Sequence, residues 1–109
     1  MDIEDFTTDH FSLEGKNAIV TGGNTGLGQA FALALAKGGA NVLVPSIVDD
    51  GGATGELIEA EGVRYAFTQS DITRPGVPKL VVEACAEQFG SVDVLVNSAG
   101  VCPTAEVLE

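Results

Sequence analysis

Eight residues, Thr21-Gly22-Gly23-Asn24-Thr25-Gly26-Leu27-Gly28, separate an apolar strand-like run from an apolar helix-like run. They constrain the fold more than any other stretch. The strand-like piece is Ala18-Ile19-Val20, and the helix-like piece runs from about Leu27 to Lys37. A glycine-rich turn that opens a helix brings unpaired backbone N–H groups together with the positive end of the helix dipole, and that combination holds a phosphate well. Glycine also lets a ligand approach the main chain without meeting a side chain. The turn therefore reads as a pyrophosphate cradle. A tight strand-to-helix turn with no ligand is the plain alternative, because the T-G-x-x-x-G-x-G spacing departs from G-x-G-x-x-G. A P-loop fits poorly. Gly23 to Gly28 matches G-x-x-x-x-G, but Gln29 and Ala30 follow where phosphoryl transfer needs Lys and then Ser or Thr.

The flanking pattern places that turn in a larger order. Lys16 to Thr21 reads as a short buried strand. Leu27, Phe31, Ala34 and Leu35 recur at helical spacing, and Lys37-Gly38-Gly39 supplies a basic last turn and a glycine stop. Asn41 to Ile47 is a second strand, in which Pro45 cannot donate to a ladder, so pairing is expected to loosen there. After the turn at Asp49 to Gly52, a short helix is expected from roughly Thr54 to Glu61. Val63 to Thr68 is a third strand candidate, and the Asp71 to Gly76 loop leads into a helix from about Val77 to Phe89. In that helix Val77, Val81, Cys85 and Phe89 fall four residues apart, with Leu80 and Ala84 assigned to the same side. Val92 to Val96 is a fourth strand, closed by Asn97-Ser98-Ala99-Gly100.

The alternation βαβαβαβ predicts an α/β, Rossmann-like parallel sheet with helices on both faces and strand order 3-2-1-4. Ligands in such sheets lie beyond the carboxyl ends of the strands, where the order reverses between strands 1 and 4. The turn at 22–28, the loop at Asp71 and the segment Asn97 to Gly100 all meet at that edge. A dinucleotide is the ligand that this convergence implies.

Composition bounds the alternatives. With 109 residues, the chain is one small domain or a piece of a larger one. Residues 1–14 read as an acidic tail, and 15–109 as the amino-terminal, truncated half of a dinucleotide-binding domain. The tail lacks the basic start and apolar stretch of a secretion signal, and no run reaches membrane-spanning length, so a cytoplasmic protein is expected. A net charge of −11 argues against nucleic acid or anionic membrane as partners. Lys16 to Val48 contains no Asp or Glu; burial accounts for most of that, and an approaching polyanion is compatible with it. Cys85 and Cys102 form no C-x-x-C pair, and His10 is the sole histidine, so neither a metal cluster nor a Cys–His nucleophile can be assembled.

Thr21 to Gly28, Asp71-Ile72-Thr73 and Val92-Asp93-Val94-Leu95-Val96-Asn97-Ser98-Ala99-Gly100 together resemble the short-chain dehydrogenase/reductase family from about Phe11 onward. Phe11-Ser12-Leu13-Glu14-Gly15-Lys16 and Thr25-Gly26-Leu27-Gly28-Gln29 are similar to sugar-acid members such as gluconate or 2-dehydro-3-deoxy-gluconate 5-dehydrogenases. The resemblance implies that Gly22, Gly26 and Gly28 line the pyrophosphate, with contacts from Asn24, Thr25 and Leu27. It implies that Asp71 accepts from the adenine amino group, with Ile72 against the ring, and that Asn97, Ala99 and Gly100 support the cofactor near the ribose. A turn role is the alternative for Asp71 and for Asn97. It further implies hydride transfer between a nicotinamide cofactor and a small-molecule alcohol or ketone, and a homo-oligomer for the full-length form.

Two positions depart from the family pattern. Where NAD-preferring members carry an acid at the end of strand 2, this chain has Ser46. No Lys or Arg stands nearby to attract a 2′-phosphate, and Asp49 and Asp50 would oppose one, so NAD is expected over NADP. The family's catalytic Ser and Tyr-x-x-x-Lys have no counterpart, because the only tyrosine, Tyr65, is followed four residues later by Gln69. No catalytic residue is assigned. A non-catalytic dinucleotide-binding module and an inactive fragment remain as alternatives to the cofactor-binding half of an enzyme.

Overall fold

The computed structural model describes residues 12–98. Four strands and three helices alternate. The strands are β1 (Asn17–Thr21), β2 (Asn41–Ser46), β3 (Tyr65–Gln69) and β4 (Val94–Asn97). The helices are α1 (Gly26–Lys37), α2 (Ala53–Glu59) and α3 (Val77–Phe89). All pairings are parallel, in the order β3-β2-β1-β4, as the alternation predicts. Among the described residues, no helix is long and apolar enough to cross a membrane.

Successive side chains of a strand point to opposite faces, so the two central strands feed two cores. On one face Val20, Val42 and Val44 pack with Ala32 and Ala36 of α1 and Ile58 of α2. On the other, Ile19 and Leu43 pack with Val81 and Cys85 of α3. β1 is buried along its whole length, whereas the outer strand β4 alternates between half-buried and exposed.

Two helix faces differ from the expectation. Leu27 is 59% exposed, and Phe31 and Ala34 are exposed too; the buried stripe of α1 is Gly28, Ala32 and Ala36. Small residues let the helix axis approach the sheet, and that close packing turns the larger side chains of the neighbouring rows outward. In α3, Val81 and Cys85 are buried as expected, but Leu80 is 63% exposed. It lies on the flank of the stripe, toward the open edge where Val82 and Leu95 are exposed as well.

Pro45 loosens one side of β2 only. The register with β1 ends at Ile19↔Leu43, while the register with β3 continues through Pro45↔Thr68 to Ser46↔Gln69. Beyond Leu43 the β1–β2 ladder lacks the bond that Pro45 cannot donate, yet the Gly22 N–H still reaches the Pro45 carbonyl at 2.9 Å and keeps the two strands joined.

Candidate functional site

The turn after β1 is built by backbone conformation. Gly22 and Gly26 have φ of +64° and +44°, a region that residues with a Cβ rarely adopt. Thr25 is the N-cap of α1, yet its side chain caps nothing; its hydroxyl donates back to the Gly22 carbonyl at 3.3 Å. The Gln29 N–H reaches the Thr25 carbonyl, whereas the N–H groups of Gly26, Leu27 and Gly28 have no acceptor among the described residues. The first turn of α1 carries no acidic side chain. Three unpaired donors and the positive end of a 12-residue helix therefore face the same edge.

Gly28 owes its identity to packing. A Cβ there would overlap the Gly22 carbonyl oxygen and Ser98 Oγ. Gly23 is similar, since a Cβ would come within 2.9 Å of the Val20 carbonyl oxygen and of Val44 Cγ2. At Gly26 a Cβ would meet nothing within 4 Å, so the space above it is open to a ligand.

Beside the turn lies a cleft of about 310 Å³. Gly22 and Thr25 line it from the turn, Ser46 and Val48 from the end of β2, and Asp71 and Ile72 from the loop after β3. Five expected residues thus share one cavity: Gly22, Thr25, Ser46, Asp71 and Ile72. Asn24, which precedes Thr25 in the chain, does not line it and is 5% exposed. Its Nδ2 donates to the Val48 carbonyl at 2.5 Å, and its Oδ1 is buried without a hydrogen-bond partner among the described residues.

Ser46 is buried, and its Oγ accepts from the Val48 N–H at 3.1 Å. Asp71 performs the turn role: its Oδ1 accepts from the Thr73 N–H at 2.9 Å and from the Thr73 hydroxyl. Those two hydrogen bonds, the hydroxyl first, hold the carboxyl below its ordinary range, with Arg74 adding a smaller pull. Arg74 Nε stands 3.9 Å from Oδ2. Asp71 also lines the cleft.

Asn97 is held from β1, where its Oδ1 accepts from the Thr21 hydroxyl at 2.9 Å. The Ser98 N–H donates to the same Thr21 Oγ1 at 2.9 Å, and Ser98 Oγ donates to the Thr21 carbonyl. Asn97 and Ile72 also line a second, apolar groove of about 220 Å³ against Val81, Val82 and Leu95. Ala99 and Gly100 lie outside the described residues. Leu27 is at the helix start but lines neither cavity.

Sequence reasoning missed Ile47 and Val48, the exposed apolar residues that wall the cleft beyond β2. Their signal was present: two branched apolar residues follow Pro45-Ser46, where a loop would ordinarily turn polar. It also missed the tie from α1 to the loop after β2. Gln29 Nε2 donates to Thr54 Oγ1 at 2.9 Å, and both the hydroxyl and the N–H of the fully buried Thr54 donate to Asp50. The Thr54 hydroxyl and then its N–H keep the Asp50 carboxyl below the usual range.

A family model described as short chain dehydrogenase matches residues 16–109. The "Uncharacterized oxidoreductase YgcW" of Escherichia coli (strain K12) is 58% identical over 104 residues, covering 95% of this chain and 40% of that protein. The 2-dehydro-3-deoxy-D-gluconate 5-dehydrogenase of the same strain is 44% identical over 100 residues, covering 91% of this chain and 39% of that protein. A solved structure of a short chain dehydrogenase from Mycobacterium paratuberculosis bound to NAD matches with a TM-score of 0.76 at 28% identity. It covers 84% of this chain and 39% of that one. Other relatives are named for NAD(P)+ or NADP+. The chain spans about two fifths of the length of the curated relatives it matches.

Proposed function

The chain belongs to the short chain dehydrogenase family, and from that premise we propose that it binds NAD as the cofactor-binding half of an oxidoreductase. The whole enzyme would move a hydride between the nicotinamide and a secondary alcohol or ketone. A sugar acid is the proposed substrate class, by likeness to the 2-dehydro-3-deoxy-D-gluconate 5-dehydrogenase.

One observation carries the binding reading. Gly26, Leu27 and Gly28 present three N–H groups at a helix start that have no acceptor among the described residues, beside open space at Gly26 where a Cβ would meet nothing within 4 Å. A diphosphate is the group that such donors fit. The residues present suit the rest of a dinucleotide. Asp71 offers a carboxylate to an adenine amino group, Ile72 offers an apolar face to the ring, and Ser46 and Asn24 stand where the adjoining ribose would lie. Asn97, fixed by Thr21, would support the cofactor from the end of β4. When bound, the nicotinamide supplies the carbon that gives or takes the hydride.

Proton transfer is a separate matter. Tyr65 is half-buried in β3, with its ring against Gly55. Burial first, then the charges of Asp50, Asp49 and Glu59, push its phenol up to about 12, so it keeps its proton at neutral pH. We assign proton transfer in the whole enzyme to a Ser and Tyr-x-x-x-Lys that these 109 residues do not contain. That commitment of Tyr65 to packing favours, as a second reading, dinucleotide binding without catalysis by this chain alone.

Calorimetric titration of the purified chain with NAD tests the binding reading. Saturable heat is expected, and a flat titration with folded protein would overturn it. A coding sequence that runs past codon 109 into a Ser and a Tyr-x-x-x-Lys supports the enzyme; a stop there supports binding alone.

A further inference from the structure

Two side-chain hydrogen bonds in series join the first turn of α1 to the loop that follows β2. The Thr54 hydroxyl gives its single proton to Asp50 Oδ2, so it can only accept from Gln29, whose Nε2 stands 2.9 Å away. The order amide, hydroxyl, carboxylate thus has one polarity. Thr54 is fully buried, and Gln29 and Asp50 are half-buried, so water competes little for these bonds. The far end of the series also starts α2. Gly52 at the N-cap has no side chain to offer, and the Asp50 carboxylate takes the Gly52 N–H at 3.0 Å and the Thr54 N–H at 2.9 Å instead.

Gln29 follows Gly28 directly, in the helix turn whose N–H groups lack acceptors among the described residues. Asp50 lies two residues beyond Val48, which walls the cleft together with Ile47. Gln29, Thr54 and Asp50 do not themselves line the cleft. Asn24, Ser46 and Gln69 hold the near end of the loop at Val48 and Ile47, and the Gln29 series ties its far end to α1. Resting on the dinucleotide reading above, we infer that Gln29 is a positioning residue. Acting through Thr54 and Asp50, it fixes the spacing between the diphosphate site at the start of α1 and the apolar wall at Ile47 and Val48. It touches no ligand. A ligand that bridges both places gains from a loop already ordered before binding, whereas a ligand that fills only the diphosphate site gains nothing.

The test compares ADP, which bridges the two places, with inorganic pyrophosphate, which does not. Affinities of the purified chain, Gln29→Met, Thr54→Val and Thr54→Ser are measured by calorimetry for ADP and by amide resonances for pyrophosphate, at a temperature where each is folded. Gln29→Met keeps the length and helix propensity of the side chain and removes the donor. It should weaken ADP binding about fivefold, as for one hydrogen bond, and leave pyrophosphate binding unchanged. Thr54→Val should behave alike, and Thr54→Ser, which keeps the hydroxyl, should bind ADP as the intact chain does. Combining Gln29→Met with Thr54→Val should cost no more than either alone, because both break one series. Unchanged ADP affinity in Gln29→Met, or additive losses in the double variant, would overturn the inference and leave these residues as stabilising contacts, with the dinucleotide reading standing. Equal losses for ADP and pyrophosphate would overturn it as well, since Gln29 would then act on the start of α1 alone. No binding of ADP or of pyrophosphate by the intact chain would overturn the inference together with the diphosphate cradle on which it rests.

Discussion

Ser98 Oγ occupies the space that a Cβ on Gly28 would need, with the Gly22 carbonyl oxygen crowding the same point. The first turn of α1 and the end of β4 thus approach to a distance that only glycine permits. Gly28→Ala is expected to destabilise the fold by about 2 kcal/mol through overpacking. Urea denaturation measures this directly. Because the Gly22 carbonyl is backbone and cannot step aside, Ser98→Ala in the same chain should restore only part of the loss.

Gly26 makes the opposite case, since open space and not protein surrounds its missing side chain. Its φ of +44° means that Gly26→Val strains the backbone as well as blocking a ligand, so one variant cannot separate the two effects. Gly62 provides the control. It has φ of +87°, open space around it, and a position before β3 at the other edge of the sheet. Gly26→Ala and Gly62→Ala should each cost about 1 kcal/mol of stability. Only Gly26→Ala should also weaken NAD binding, by tenfold or more; equal NAD affinity in the two variants would contradict the cradle.

Stability should fall on acidification, for a reason visible in three carboxylates. Asp50, Asp71 and Asp93 are all held below the ordinary carboxyl range by hydrogen bonds. The leading partners are the Thr54 hydroxyl, the Thr73 hydroxyl and the Asn17 N–H respectively. A depressed carboxyl contributes stability above its unfolded pKa and loses it as the pH falls through the folded value. The urea midpoint is therefore expected to be level near neutral pH and to drop below about pH 4. Thr54→Val removes the largest pull on Asp50, so this variant should be less stable at neutral pH by about 1 kcal/mol and should lose less on acidification.

The order of elements was legible because glycines mark nearly every end. Gly38-Gly39, Gly62 and Gly90 stop three helical segments, and the two central strands, β1 and β2, are apolar enough to be buried on both faces. Which face of α1 turns inward was not legible. Leu27 and Phe31 outrank Ala32 and Ala36 in hydrophobicity, yet close approach to the sheet selects the small residues. The site divided in the same way. Gly22, Thr25, Ser46, Asp71 and Ile72 could be placed together from strand order alone, because topology brings every carboxyl end to one edge. The Thr21–Ser98 contacts join residues 77 positions apart, and no local pattern encodes them. The roles of Ile47 and Val48 depend on β2 ending at Ser46, which leaves both residues exposed at the cleft.

The proposed grip on a diphosphate is tested most directly by the backbone amide resonances of the labelled chain as NAD is added. The Gly26, Leu27 and Gly28 signals should shift together and saturate with the same affinity that calorimetry gives. If those three stay fixed while signals from the groove at Val81, Val82 and Leu95 move instead, the dinucleotide site lies elsewhere and the account fails.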